Sequence, residues 1–164
     1  ALASQSAGIT GLSHRMFSIM LGTNDSAIEG TNGCPVAPER YYENMKTIIN
    51  RLLALYPNCR IVVHRPLWYS PNTYNGAKYL EEGLRRLQDY YPQIQRLVDY
   101  YASHFPGQVF LGDTKGFDYF KENHLTDFQA EKGNAGVFYL HPNEKGAVRL
   151  GELWSEAIRQ ALGL

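Results

Sequence analysis

Apolar residues along the chain show two kinds of spacing, short unbroken runs and longer stretches with helical periodicity. The unbroken runs at 17–21, 60–64 and 109–111 predict three buried strands. The periodic stretches predict helices at 38–55, 74–104 and 144–162, and residues 114–140 read as a short helix followed by an irregular loop. Pro92 lies inside the second helical stretch, where it should break or kink the helix near Tyr91.

Strands that alternate with helices predict a parallel sheet in an α/β domain. Only three strands are evident, whereas sheets usually have about four to six. The sheet therefore looks incomplete on its amino-terminal side. We expect residues 1–164 to form a single domain that is amino-terminally incomplete.

Composition narrows the range of functions. The chain has 164 residues, 44% of them hydrophobic, and a formal net charge of +0 without a run of like charges. This balance argues against a nucleic-acid partner held through phosphate contacts. No apolar stretch has the length of a membrane span. No signal peptide is visible either, and the sequence does not indicate the cellular compartment. Cys34 and Cys59 could form one disulfide or remain free thiols.

The first informative motif is Gly22-Thr23-Asn24-Asp25, which directly follows the first predicted strand. Gly, Asn and Asp are common turn residues, so the motif could be only a turn. Polar groups at the carboxyl end of a buried strand are also where open α/β sheets place their functional sites. The motif alone leaves both interpretations open.

The second motif is His141-Pro142-Asn143, directly before the last predicted helix. Pro and Asn suit the start of a helix, so the turn should hold His141 rigidly. A rigidly held imidazole is suited to general base catalysis. The alternative is a histidine that only completes a loop.

Together, the two motifs resemble the third and last signature blocks of the SGNH/GDSL hydrolases, Gly-x-Asn-Asp and Asp-x-x-His-Pro. The resemblance extends from about Phe17 to the end of the chain. It implies a three-layer α/β/α flavodoxin-like fold and an acyl transfer that needs no cofactor. It also implies that Asn24 and Gly22 belong to the oxyanion hole and that His141 is the general base for a serine.

Two departures from the family pattern concern the nucleophile and the acid. The Gly-Asp-Ser block is absent, and Ser4, Ser6 and Ser13 follow no strand, so the nucleophilic serine is expected outside this chain. Phe138 stands three residues before the histidine, where the family has Asp. Asp127 is then the candidate acid, with 128–140 as an insertion. It could instead be a turn residue, or a backbone carbonyl could orient the imidazole.

Other candidate residues follow the second predicted strand. Arg65, Trp68 and Tyr69 could line a substrate pocket or equally cover the core. The remaining histidines lack the short spacings of zinc ligands, so we expect no metal site.

The substrate implied by the resemblance is a small acyl ester, and the loops rich in Tyr and Trp favour an acetyl group on a carbohydrate. The alternative is a non-catalytic binding module, or a fragment that is inactive as it stands. An uncovered sheet edge would also predict a homodimer through that edge.

Overall fold

The computed structural model describes residues 15–164, so Ser4, Ser6 and Ser13 lie outside the described residues. The elements, in chain order, are β1 (Met16–Ile19), α1 (Thr23–Ser26), α2 (Pro38–Leu55), β2 (Arg60–Val63), α3 (Leu80–His104), β3 (Val109–Leu111), α4 (Gly116–Asp127), β4 (Glu131–Gly133), β5 (Gly136–Phe138) and α5 (Glu144–Leu162).

Strands β1, β2 and β3 form a parallel sheet in that order, as the sequence predicts. Ile61 of the central strand lies beside Phe17 on one side and Val109 on the other. Helix α2 packs against α3, and α4 packs against α5. Trp154 of α5 stacks on His64 at the end of β2, which places α5 over one face of the sheet. The arrangement is a three-layer α/β/α fold of the flavodoxin-like type.

Helix α2 has the bounds that the periodicity predicts. Pro38 occupies the first turn, where its missing N–H costs no intrahelical hydrogen bond. Met45, Ile49 and Leu53 form the buried stripe. The chain leaves the helix just before Pro57, which cannot continue it.

Helix α3 corrects two expectations. It begins at Leu80 rather than Tyr74, because residues 74–78 are held in short antiparallel bridges, Tyr74 with Lys78 and Glu29 with Lys78. It also runs through Pro92 without ending there. Buried side chains on both sides of the proline hold the helix against the sheet, and this packing offsets the one lost hydrogen bond; they are Leu87, Tyr90, Ile94 and Leu97.

The segment predicted as an irregular loop contains an antiparallel hairpin, β4 paired with β5. Three hydrogen bonds with the loop after β2 hold it. Asn72 Nδ2 donates to the carbonyls of Ala135 and Val137, and the Asn134 N–H donates to the Tyr74 carbonyl. The hairpin therefore has a fixed position beside the residues that precede α5.

Both cysteines are free thiols, Cys34 partly exposed and Cys59 buried. Within residues 15–164, none of the helices combines the length and apolar character needed to cross a bilayer.

Candidate active site

A cleft of about 410 Å³ lies at the carboxyl end of β1. It brings Gly22 and Asn24 together with His141, although more than a hundred residues separate them along the chain. The remaining walls are largely aliphatic, with a few polar groups; they come from Met20, Leu21, Thr23, Asp25, Leu67, Asn75, Tyr79, Leu140, Pro142 and Leu150. No serine or cysteine among residues 15–164 contributes to this lining.

Gly22 makes the turn from β1 into α1. Its φ of 128° lies in a region that favours glycine. A Cβ at this position would lie 3.1 Å from the Tyr90 ring, 3.2 Å from Tyr41 and 3.3 Å from Pro66. The dihedral angle therefore favours glycine, and a larger residue would also have to displace these neighbours slightly.

The side chain of Asn24 is held in one orientation. Its Oδ1 accepts a hydrogen bond from the Tyr79 hydroxyl at 2.9 Å. Because the hydroxyl donates here, the oxygen faces Tyr79, and Nδ2 is left without a partner among the described residues. Asn24 is exposed and lines the cleft, so its Nδ2–H groups are available as donors.

Tyr79 is itself fixed by its surroundings. Its side chain is buried, and its ring packs edge-on against Tyr69 at 5.3 Å. Burial raises the pKa of Tyr79, which keeps the hydroxyl protonated as a donor. The next residue, Leu80, has a φ of 54°, a left-handed conformation that costs roughly 1 kcal/mol or more outside glycine.

His141 lies in the loop between β5 and α5, and its side chain is 58% exposed. Its Nδ1 lies 2.9 Å from Glu131 Oε1, which also accepts the His141 backbone N–H at 3.3 Å. The opposite ring nitrogen, Nε2, has no partner in the described part of the chain. Asn143 begins α5 by accepting the Gly146 N–H at 2.9 Å, so the loop that carries His141 ends in a fixed cap.

Asp127, the acid expected from the sequence, does not contact His141. Its oxygens accept hydrogen bonds from Lys145, Thr126 and Tyr119, each at 2.7 Å. Burial alone would raise the pKa of Asp127, but these donors outweigh it and lower the pKa to about 2. Through Lys145 the carboxylate joins the end of α4 to the first turn of α5, so its oxygens are engaged there and not with the His141 ring.

The pocket residues expected after β2 are also placed elsewhere. The Arg65 guanidinium lies between the Phe117 and Tyr91 rings, at 3.9 and 4.6 Å, and 3.7 Å from Asp118. Trp68 is buried against His124 and Phe128. From the loop between β2 and α3, the cleft is lined instead by Leu67, Asn75 and Tyr79.

Tyr69 is fully buried and hydrogen-bonded to Ser26 at 2.8 Å. It packs behind Tyr79 and does not reach the cleft. Arg65, Trp68 and Tyr69 therefore do not line this cleft. Trp68 and Tyr69 belong to the hydrophobic core, which is the alternative that the sequence left open.

A Ser–His contact lies away from the cleft, where Ser18 Oγ is 2.8 Å from Nε2 of the buried His64. The backbone N–H of Asp113 donates to His64 Nδ1 at 2.9 Å. Nδ1 must therefore be the acceptor nitrogen, and the neutral ring carries its proton on Nε2, where it donates to Ser18. Burial lowers the pKa of His64 to about 4. This histidine cannot take a proton from Ser18 through that contact, so the pair is structural.

The fold and the cleft together define a class of protein. An amide-bearing turn after one strand faces a histidine that precedes the last helix, an arrangement suited to acyl transfer. The chain matches the GDSL-like lipase/acylhydrolase family over residues 2–149, and it belongs to that family. It is thus a hydrolase of the SGNH type. Comparison with curated proteins and with solved structures found no match.

Proposed function

We propose that this protein is a serine ester hydrolase that acts on small acyl esters. The observation that carries the proposal is the single cleft shared by Asn24, Gly22 and His141. Acyl transfer needs a base for the nucleophile and donors for the oxyanion, and both kinds of group face the same space here.

In the proposed reaction His141 Nε2 takes the proton of a serine hydroxyl as that oxygen attacks the ester carbonyl. Asn24 Nδ2 donates to the oxygen on which negative charge develops. One such donor is worth about 3 kcal/mol in comparable sites. The protonated His141 then gives its proton to the leaving alcohol, and water releases the acyl group by the same steps.

The nucleophilic serine, in this proposal, comes from outside the described residues. Ser18, Ser26 and Ser70 already use their hydroxyls in contacts within the fold. None of these three lines the cleft, and neither do Ser103 and Ser155.

The aliphatic walls of the cleft support a small acyl group. Leu21, Leu67, Leu140 and Leu150 offer apolar contact but no large tunnel within the 410 Å³. An acetyl ester of a carbohydrate remains the narrower proposal, although Trp68 and Tyr69 cannot serve as its stacking surface because both are buried.

A non-catalytic binding module is the second candidate. It is favoured by the cleft lining, which contains no serine among the residues described. Such a module would bind an ester in the same cleft and leave it intact.

The first test is hydrolysis of p-nitrophenyl acetate, compared with the butyrate and the octanoate, by the protein with its nucleophilic serine present. We expect the acetate or butyrate to react fastest, and His141→Ala to lower kcat at least a hundredfold, as the loss of a catalytic base does. Asn24→Ala should lower kcat about a hundredfold with little change in KM, because the amide acts on the oxyanion. His104→Ala, at the exposed end of α3, is the control. Equal rates in all four proteins would contradict the proposal.

A fluorophosphonate probe locates the nucleophile, because it reacts with an activated serine. The adduct is mapped by peptide mass spectrometry on the 164-residue chain. An adduct at Ser4, Ser6 or Ser13 would place the nucleophile within this chain, and no adduct is expected if the serine lies outside it. An adduct at Ser18, Ser26 or Ser70 would contradict the cleft assignment. Binding of the acetate ester without turnover, even when the serine is present, would favour the binding module.

A further inference from the structure

The acid position expected from the family pattern is filled by a core residue. Phe138 lies in β5 and is 1% exposed, and its ring would contact a Cβ at Gly133. No carboxylate can therefore reach His141 from this position. Another group must hold the imidazole if His141 is to present one fixed nitrogen to the cleft.

The hairpin supplies a carboxylate from the opposite strand. Glu131 of β4 is the direct cross-strand partner of Phe138 in the antiparallel register. Its Oε1 lies 2.9 Å from His141 Nδ1 and 3.3 Å from the His141 backbone nitrogen. One carboxylate oxygen therefore contacts both the ring and the backbone of the same residue.

Backbone contacts fix the distance between the two residues. The Gln129 N–H donates to the His141 carbonyl at 2.9 Å, and Phe128 forms a bridge with Pro142. On the other side of the hairpin, Ser70 and Tyr139 exchange two hydrogen bonds, at 2.8 and 2.9 Å. The segments that carry Glu131 and His141 are thus held to one another and to the loop after β2.

The chemistry of the contact selects one form of the ring. A carboxylate only accepts hydrogen bonds, so Nδ1 must carry the proton that faces Glu131. In the neutral ring this leaves Nε2 unprotonated, which is the nitrogen a general base requires. The Glu131 side chain is 25% exposed, against 58% for the His141 side chain. The carboxylate is therefore better shielded from water than the imidazole.

We propose that Glu131 is the positioning residue of the catalytic base, and that it replaces the aspartate three residues before the histidine. This inference rests on the proposed function, since it assumes that His141 is the base. Glu131 holds the Nδ1–H tautomer and balances the charge of the imidazolium when His141 has accepted a proton. Asp127 does not take part, because Lys145, Thr126 and Tyr119 occupy its oxygens.

The direct test is the tautomer of His141, read from its imidazole 15N shifts at a pH where the ring is neutral. We expect an unprotonated Nε2 in the unchanged chain and a mixture of tautomers in Glu131→Ala. Glu131→Gln should retain part of the preference, because its amide oxygen can still accept from Nδ1. Glu144→Gln removes a nearby exposed charge that does not contact the ring, and it should leave the tautomer unchanged. The same tautomer in the unchanged chain and in Glu131→Ala would overturn the inference.

Activity separates this inference from the proposed function. With p-nitrophenyl acetate, Glu131→Ala should lower kcat about a hundredfold with little change in KM, and Glu131→Gln should lower it less. If His141→Ala leaves turnover unchanged while Glu131→Ala alters the tautomer, the proposed function fails although the contact orients the ring. If His141→Ala abolishes turnover but Glu131→Ala has neither effect, Glu131 is not the positioning residue and the function stands.

Discussion

The hydrogen bond between Tyr79 and Asn24 decides which end of the amide faces the cleft. An asparagine side chain has a donor end and an acceptor end, and only the donor end stabilises an oxyanion. The Tyr79 hydroxyl lies 2.9 Å from Oδ1, so Nδ2 is left free. Tyr79 thus acts on the oxyanion donor through Asn24.

We predict that Tyr79→Phe lowers kcat for p-nitrophenyl acetate about tenfold without changing KM. The variant keeps the ring packing against Tyr69 but lets the Asn24 amide rotate, which weakens the oxyanion donor. Loss of one hydrogen bond should lower the free energy of unfolding by only about 1 kcal/mol. Urea denaturation and steady-state kinetics measure the two effects.

Tyr74→Phe is the matched control, because the Tyr74 hydroxyl has no hydrogen-bond partner within residues 15–164. It should leave kcat unchanged. If both variants lose activity equally, the Tyr79 hydroxyl has no special effect on the amide.

At the residue scale, motif spacing predicted part of the site. One cleft contains Asn24, Gly22 and His141. Each belongs to a short motif that the sequence alone places directly after a strand or directly before a helix. Glu131 and Tyr79 were not predicted, because each reaches the site across a non-local contact. Glu131 lies in a hairpin that the apolar pattern does not reveal, and Tyr79 lies 55 residues from its partner Asn24.

At the element scale, hydrophobic periodicity predicted α2, α5 and the three sheet strands to within two residues of their bounds. It failed for β4 and β5, which are three residues each and bury only Phe138. Two such strands bury too little apolar surface to show a clear pattern. Contacts with Asn72 and Tyr74 hold the hairpin instead, and these contacts depend on the tertiary fold.

The contact between α5 and the sheet makes stability depend on pH. His64 is fully buried under the Trp154 ring, whose centroid is 4.1 Å away. Its pKa is about 4 in the folded chain, against about 6.5 for an unfolded histidine. Between these values the unfolded chain binds more protons, so stability should fall as pH falls from about 6.5 to about 4.

We predict that His64 lowers the free energy of unfolding by about 3 kcal/mol as the pH falls from 7 to 4. Asp113, whose pKa is raised by burial, acts in the opposite direction, so the total change is smaller. Urea unfolding at several pH values should therefore compare the unchanged chain with His64→Asn. The variant keeps an acceptor for the Asp113 N–H but does not titrate. Parallel pH dependence in the two proteins would contradict the prediction.

At the scale of the whole molecule, β1 and β3 are the two edge strands of the parallel sheet within residues 15–164. Strand β1 pairs with β2 on one side only, within the part of the chain described. Apolar side chains beside this edge are exposed, among them Met16 at 46% and Leu21 at 46%. Unpaired backbone groups next to apolar surface favour pairing with another strand.

We predict that the 164-residue chain forms a homodimer through the β1 edge, measured by light scattering after size exclusion. Met16→Lys should shift it to monomer, because a charge on an edge strand opposes pairing. Val148→Lys, at a 63% exposed position on α5, introduces the same charge away from the edge and should leave the dimer intact. A monomeric unchanged chain would contradict the prediction. A dimer broken equally by both substitutions would place the interface elsewhere.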